Sequence, residues 1–77
     1  MSKEQIRLYL TGRIIDKLTE FLMHDHRLNL QEAIDIIYNS DTLGKLENKK
    51  TELYIQSPAY VYELLDYEYK NGHFPNS

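Results

Sequence analysis

The feature that most constrains the fold is an apolar pattern that repeats through the first third of the chain. Apolar side chains recur there at spacings of three and four residues, at Leu10, Ile14, Ile15, Leu18, Phe21 and Leu22. At 100° per residue these positions form one stripe, with the charged Arg13, Asp16 and Glu20 on the opposite side. The pattern predicts an amphipathic helix that begins near Glu4. The alternation in residues 6–10 also fits an edge strand, but no second alternating segment offers it an obvious partner.

Two further helices are predicted from residues that cap helix N-termini. Asn29 is followed three residues later by Glu32, which is the spacing of a capping box. The apolar residues that follow Glu32 give this second helix a broad apolar face. Ser40 or Asp41 then caps a short third helix.

The last helix is marked at both ends. Ser57 is a good N-cap residue, and Pro58 suits the first helical position, where its missing N–H costs nothing. Gly72 is placed to end this helix. Before it, Leu53 and Ile55 alternate with polar residues, which predicts a short extended segment. The predicted fold is all-α: a bundle of about four helices with one short extended segment.

The length of 77 residues predicts one helical domain over residues 1–77, with residues 73–77 as a flexible tail. The chain has no cysteine, so disulfides, thiolate metal sites and a cysteine nucleophile are excluded. No apolar run approaches the roughly 20 residues that a membrane-spanning helix needs. We therefore expect a cytoplasmic protein that does not enter a membrane.

Tyrosines are concentrated on the last helix. Tyr60 and Tyr67 extend its apolar stripe on one side, and Tyr62 and Tyr69 extend it on the other. Either the other helices wrap this helix and the hydroxyls reach water at the rim, or some tyrosines face a partner protein. Glu68 lies inside the aromatic arc, which argues that part of the arc is exposed. These five residues are the predicted interface.

Few residues suggest chemistry. His24 and His26 are weak metal candidates, because residues two apart on a helix point in nearly opposite directions. Ser57 is better explained as a helix cap than as a nucleophile, and the glycines form no phosphate-binding loop. We expect no enzyme activity, no metal and no cofactor.

The charge distribution opposes binding to nucleic acid. The net charge is -3, and only Lys49 and Lys50 are adjacent among the basic residues. Proteins that bind nucleic acid usually concentrate positive charge on one face, because phosphate contacts supply much of the affinity.

Several short patterns follow one another in a distinctive order in the second half of the chain. They are Tyr38-x-Ser40-x-Thr42, Leu46, Thr51-x-Leu53-Tyr54 and Ser57-Pro58-x-Tyr60-Val61-Tyr62. Over about residues 30–66 they resemble a group of short bacterial proteins with no established activity. The resemblance implies a compact helical fold and a bacterial, cytoplasmic origin, but no mechanism.

These observations favour a non-catalytic protein–protein interaction module. We expect a small bacterial adaptor or an antitoxin-like regulatory protein that pairs with itself as a homodimer, or with another protein, through the last helix. One alternative is a dimeric nucleic-acid-binding regulator in which the second and third helices form a helix-turn-helix-like pair. Another is a sensor of a small molecule or a metal, based on the tyrosines and histidines.

Overall fold

The computed structural model describes residues 2–75, and these residues form a bundle of four helices. The helices are α1 (Lys3–His26), α2 (Leu30–Tyr38), α3 (Asp41–Glu47) and α4 (Pro58–Asn71). Two short 3-10 turns, Lys49–Thr51 and Leu53–Ile55, join α3 to α4. The described residues contain no strand, and the predicted all-α fold of four helices is confirmed.

Each helix begins at a side chain that accepts a hydrogen bond from a backbone N–H of the first turn. The predicted caps Asn29, Ser40 and Ser57 all do so. The first cap, Ser2, is not among the predicted ones; it forms a capping box with Gln5. These contacts satisfy N–H groups that have no partner within their own helix.

The segment before α4 differs from its predicted extended form. The Thr51 hydroxyl donates to the carbonyl oxygens of Lys45, at 2.6 Å, and Asn48, at 2.9 Å. Glu52 follows with a positive φ of 55°, and the chain then coils again through Leu53–Ile55. Local hydrogen bonds from a threonine hydroxyl compete with extended structure, which explains the difference.

The core draws on all four helices. Its buried apolar residues are Ile14, Leu18, Leu22, Ala33, Ile37, Leu43, Leu46, Val61 and Leu65. At about 1.5 Å per residue the 24 residues of α1 span about 36 Å, close to the longest dimension of the molecule, 37 Å. α1 packs against α2 and α4, and α4 also packs against α3. No helix in residues 2–75 is long and apolar enough to cross a bilayer.

The residues after α4 turn back towards the bundle. Gly72 ends α4 with a φ of 81°, as its position predicts. The His73 and Tyr67 rings then meet in a T-shaped contact, with the centroids 5.8 Å apart. Phe74 is partly buried, and the Lys45 ammonium lies 5.7 Å from the centre of its ring. Of the predicted tail 73–77, residues 76 and 77 lie outside the described part of the chain.

Candidate functional site

The tyrosines of α4 lie on two opposite sides of the helix. On the α3 side, Tyr60 lines a groove, and Tyr67 lies against His73, which lines the same groove. Tyr62 and Tyr69 contact side chains of α1. The seven-residue spacing within each pair places both members on one line along the helix, so each pair shares one surface.

On the α1 side, Tyr62 packs within the fold, whereas Tyr69 is 42% exposed. The Tyr62 ring packs against Phe21, with centroids 5.1 Å apart, and its hydroxyl is buried beside Asp25 without a hydrogen bond of regular geometry. Burial, together with this carboxylate, raises the pKa of the Tyr62 phenol. The Tyr69 ring meets the His26 ring at 4.7 Å. Tyr62 therefore serves the contact between α1 and α4 rather than an exposed surface.

The two weak metal candidates bind different carboxylates. His26 Nε2 lies 2.8 Å from Asp66 Oδ1 on α4, whereas His24 Nδ1 lies 3.2 Å from Asp25 Oδ1. Across residues 2–75 no three histidine, aspartate or glutamate side chains come together as a metal site. His26 and Asp66 instead join the end of α1 to α4.

We expect the Asp66 contacts to make stability depend on pH. Burial tends to raise the pKa of Asp66, but hydrogen bonds from Lys70 and His26 outweigh it and hold the pKa below its ordinary value. The stabilisation is therefore complete above the ordinary aspartate pKa of about 4 and is lost as the pH falls through the lower folded-state value. Urea unfolding from pH 2 to pH 7 should show this loss, and Asp66→Asn should flatten the acid side of the profile. An unchanged profile in the variant would contradict this role.

Glu68 is engaged within the chain. Its Oε2 accepts a hydrogen bond from the Asp41 backbone N–H at 2.7 Å. Its Oε1 accepts two from Thr42, one from the backbone N–H at 2.9 Å and one from the hydroxyl at 2.7 Å. A carboxylate at a helix N-terminus is stabilising, because unpaired N–H groups and the positive end of the helix dipole face it. Glu68 lies in the aromatic arc to hold the N-terminus of α3, and we remove it from the candidate interface.

The candidate site is an open groove between α3 and α4, with a volume of about 1040 Å³. Tyr60 and Leu64 line it from α4, and Leu53 lines it from the connecting turn. The far end is lined by His73 and Phe74. Tyr60 is 45% exposed and Tyr67 is 42% exposed, so both rings combine a packed side with a solvent-facing side. This combination is typical of tyrosines at protein interfaces.

The α3 wall of the groove is one stripe of the helix. Asp41, Gly44, Lys45 and Asn48 line the groove at spacings of three, four and seven residues. The opposite face of α3 supplies Thr42, Leu43 and Leu46 to the core. This stripe is not predicted from the sequence, although a glycine in the middle of a predicted helix is a signal for it.

Packing within the fold does not require a glycine at either of two helical positions. A Cβ added to Gly12 in α1 or Gly44 in α3 would meet no atom within 4 Å. Neither residue has a positive φ. Because glycine costs about 0.5–1 kcal/mol relative to alanine inside a helix, Gly12→Ala and Gly44→Ala should each raise the free energy of unfolding by about that amount. Chemical denaturation of both variants checks this, and a loss of stability in either would show a constraint at that glycine.

Other exposed apolar residues lie outside the groove. They are Ile6, Leu8 and Tyr9 on α1, Leu30 and Tyr38 on α2, Ile55 in the second 3-10 turn, and Tyr69 on α4. Single exposed apolar residues are common on soluble proteins. They provide matched positions with which to test the groove.

No family model, curated protein or solved structure matches this chain. Function is therefore inferred from the geometry of the groove and from the chemistry of its lining residues.

Proposed function

We propose that this chain is a non-catalytic protein-binding module and that the groove between α3 and α4 is its contact surface. The observation that carries the proposal is a pair of half-exposed tyrosines on one side of α4: Tyr60 lines the groove, and Tyr67 borders it through its contact with His73. Tyrosines at interfaces bury a large area while their hydroxyls stay in contact with water. A role as a bacterial adaptor or an antitoxin-like regulator is a narrower form of the same proposal.

The shape of the groove favours a helical partner segment. Both walls are helices, whose backbone N–H and C=O groups bond within the helix except at the ends. A strand-like peptide would need a free sheet edge, and residues 2–75 contain no strand. A helix suits a groove that presents Tyr60 and Leu64 on its α4 side and the charged Asp41 and Lys45 on its α3 side.

The alternative of a helix-turn-helix-like nucleic-acid binder is less favoured. In that arrangement α3 would be the helix that reads the nucleic acid. The N-terminus of α3 already holds the Glu68 carboxylate, and its exposed stripe carries Asp41 as well as Lys45. Both carboxylates would repel phosphate groups.

Alanine variants test the proposed function. We expect the purified chain, used as bait in an extract of the cells that produce it, to retain a protein, either its own copies or another chain. The combined variant Tyr60→Ala with Tyr67→Ala should lower the affinity by about thirtyfold, because each anchor should contribute about 1 kcal/mol. Its matched control, Tyr9→Ala with Tyr38→Ala, removes two exposed tyrosines outside the groove and should bind normally. A folded groove variant that binds like the wild type would contradict the proposal.

A further inference from the structure

The α3 stripe carries two opposite charges one helical turn apart. Asp41 and Lys45 are both exposed, and both line the groove. A helix permits an ion pair at this four-residue spacing, but the ion pairs within residues 2–75 do not include one between Asp41 and Lys45. The Lys45 ammonium instead lies over the Phe74 ring, at 5.7 Å from its centre. The Asp41 carboxylate and the solvent side of Lys45 are thus available to a second molecule.

Such a stripe is complementary to a second copy of itself. In a contact with two-fold symmetry the same patch is used twice, so each residue pair occurs twice. Two antiparallel α3 helices that cross near residue 43 place residue 41 of each copy opposite residue 45 of the other. Asp41 of each copy then faces Lys45 of the other copy, once on each side of the two-fold axis.

We propose that two copies of this chain pair across a two-fold axis at α3, with Asp41 of each copy facing Lys45 of the other. This inference rests on the proposed function and names the partner as a second copy. The contact joins the α3 stripes, and Tyr60 on the facing wall of each groove borders it.

Gly44 suits this arrangement because it lies beside the crossing point and has no side chain. A Cβ at this position would meet nothing within its own chain. The packing within one copy therefore does not require a glycine here. In a dimer, however, the missing side chain lets a second helix backbone approach closely. A leucine side chain at this position would occupy the space that the second α3 helix fills in the dimer.

Charge reversal tests the pairing by sedimentation equilibrium. The wild type should form dimers in a concentration-dependent manner. Asp41→Lys and Lys45→Asp should each weaken dimerisation by at least about tenfold, because each replaces two attractive contacts with two repulsive ones. An equimolar mixture of these two variants should recover dimers, since both contacts between unlike chains are attractive. Thermal unfolding must first show that both variants are folded.

Matched controls carry the same charge changes elsewhere. Asp16→Lys and Lys17→Asp change the net charge equally at exposed positions of α1 that do not line the groove. These two variants should dimerise like the wild type. Gly44→Leu should weaken the dimer, whereas Gly12→Leu should not.

The outcomes separate this inference from the proposed function. Recovery of dimers only in the mixture supports the pairing. A wild type that stays monomeric at high concentration, or folded charge-reversal variants that dimerise normally, overturns the pairing. If the wild type is monomeric but its groove tyrosines are still needed to retain a different protein, the proposed function stands and only the choice of partner is wrong.

Discussion

Replacing Glu68 with alanine should lower the free energy of unfolding by about 3 kcal/mol, since a hydrogen bond to a charged group contributes about 1.5–3 kcal/mol and such bonds do not add fully. The carboxylate accepts three hydrogen bonds from Asp41 and Thr42 at the start of α3. Thr42 is completely buried, so its hydroxyl and N–H would lose a partner that water cannot easily replace. A core of this size rarely supplies more than about 3–5 kcal/mol, so the variant should be largely unfolded at moderate urea concentrations.

Two further variants sharpen this experiment. Glu68→Gln keeps one acceptor oxygen and should lose less stability than Glu68→Ala. Glu63→Ala removes an exposed carboxylate from the same helix and should change the free energy by no more than about 0.5 kcal/mol. If urea denaturation gives Glu68→Ala the same stability as Glu63→Ala, Glu68 does not hold the N-terminus of α3.

Leu18→Ala should destabilise the fold by about 2–5 kcal/mol, which is the range for removing a buried leucine side chain. Leu18 lies in the middle of α1 and is only 1% exposed. Its side chain belongs to the core that α1, α2, α3 and α4 share, so the cavity would weaken packing between several helices. Circular dichroism during thermal unfolding should show a large fall in the melting temperature.

Leu8→Ala provides the matched control for this core variant. It makes the same chemical change on the same helix, but Leu8 is 57% exposed. We expect an effect within about 0.5 kcal/mol, as for most surface substitutions. Equal losses in the two variants would mean that α1 does not bury the stripe that contains Leu18.

Local signals in the sequence were sufficient to predict the helices. Caps such as Asn29 and Ser57 act on N–H groups within three residues, so their spacing along the chain predicts their contacts. The turn at Thr51 was less predictable, because alternation of polar and apolar residues does not show where a hydroxyl will donate its hydrogen bond.

The candidate site was only partly predictable, because it depends on contacts between distant residues. The helical periodicity of α4 correctly places Tyr60 and Tyr67 on one side of the helix and Tyr62 and Tyr69 on the other. It could not show that Glu68 reaches a helix N-terminus 26 residues earlier in the chain. That contact changes the interpretation of Glu68 from a residue that meets a partner to a residue that holds the fold.

Site-specific photocrosslinking tests the central claim, a protein-binding groove between α3 and α4, most directly. A photoreactive phenylalanine analogue would replace Tyr60, Tyr67, Tyr9 or Tyr38, one position at a time, in the cells that produce the protein. The account predicts covalent capture of a protein, either a second copy or another chain, from Tyr60 and Tyr67 and little from Tyr9 and Tyr38. Capture from Tyr9 or Tyr38 without capture from the groove positions would contradict it.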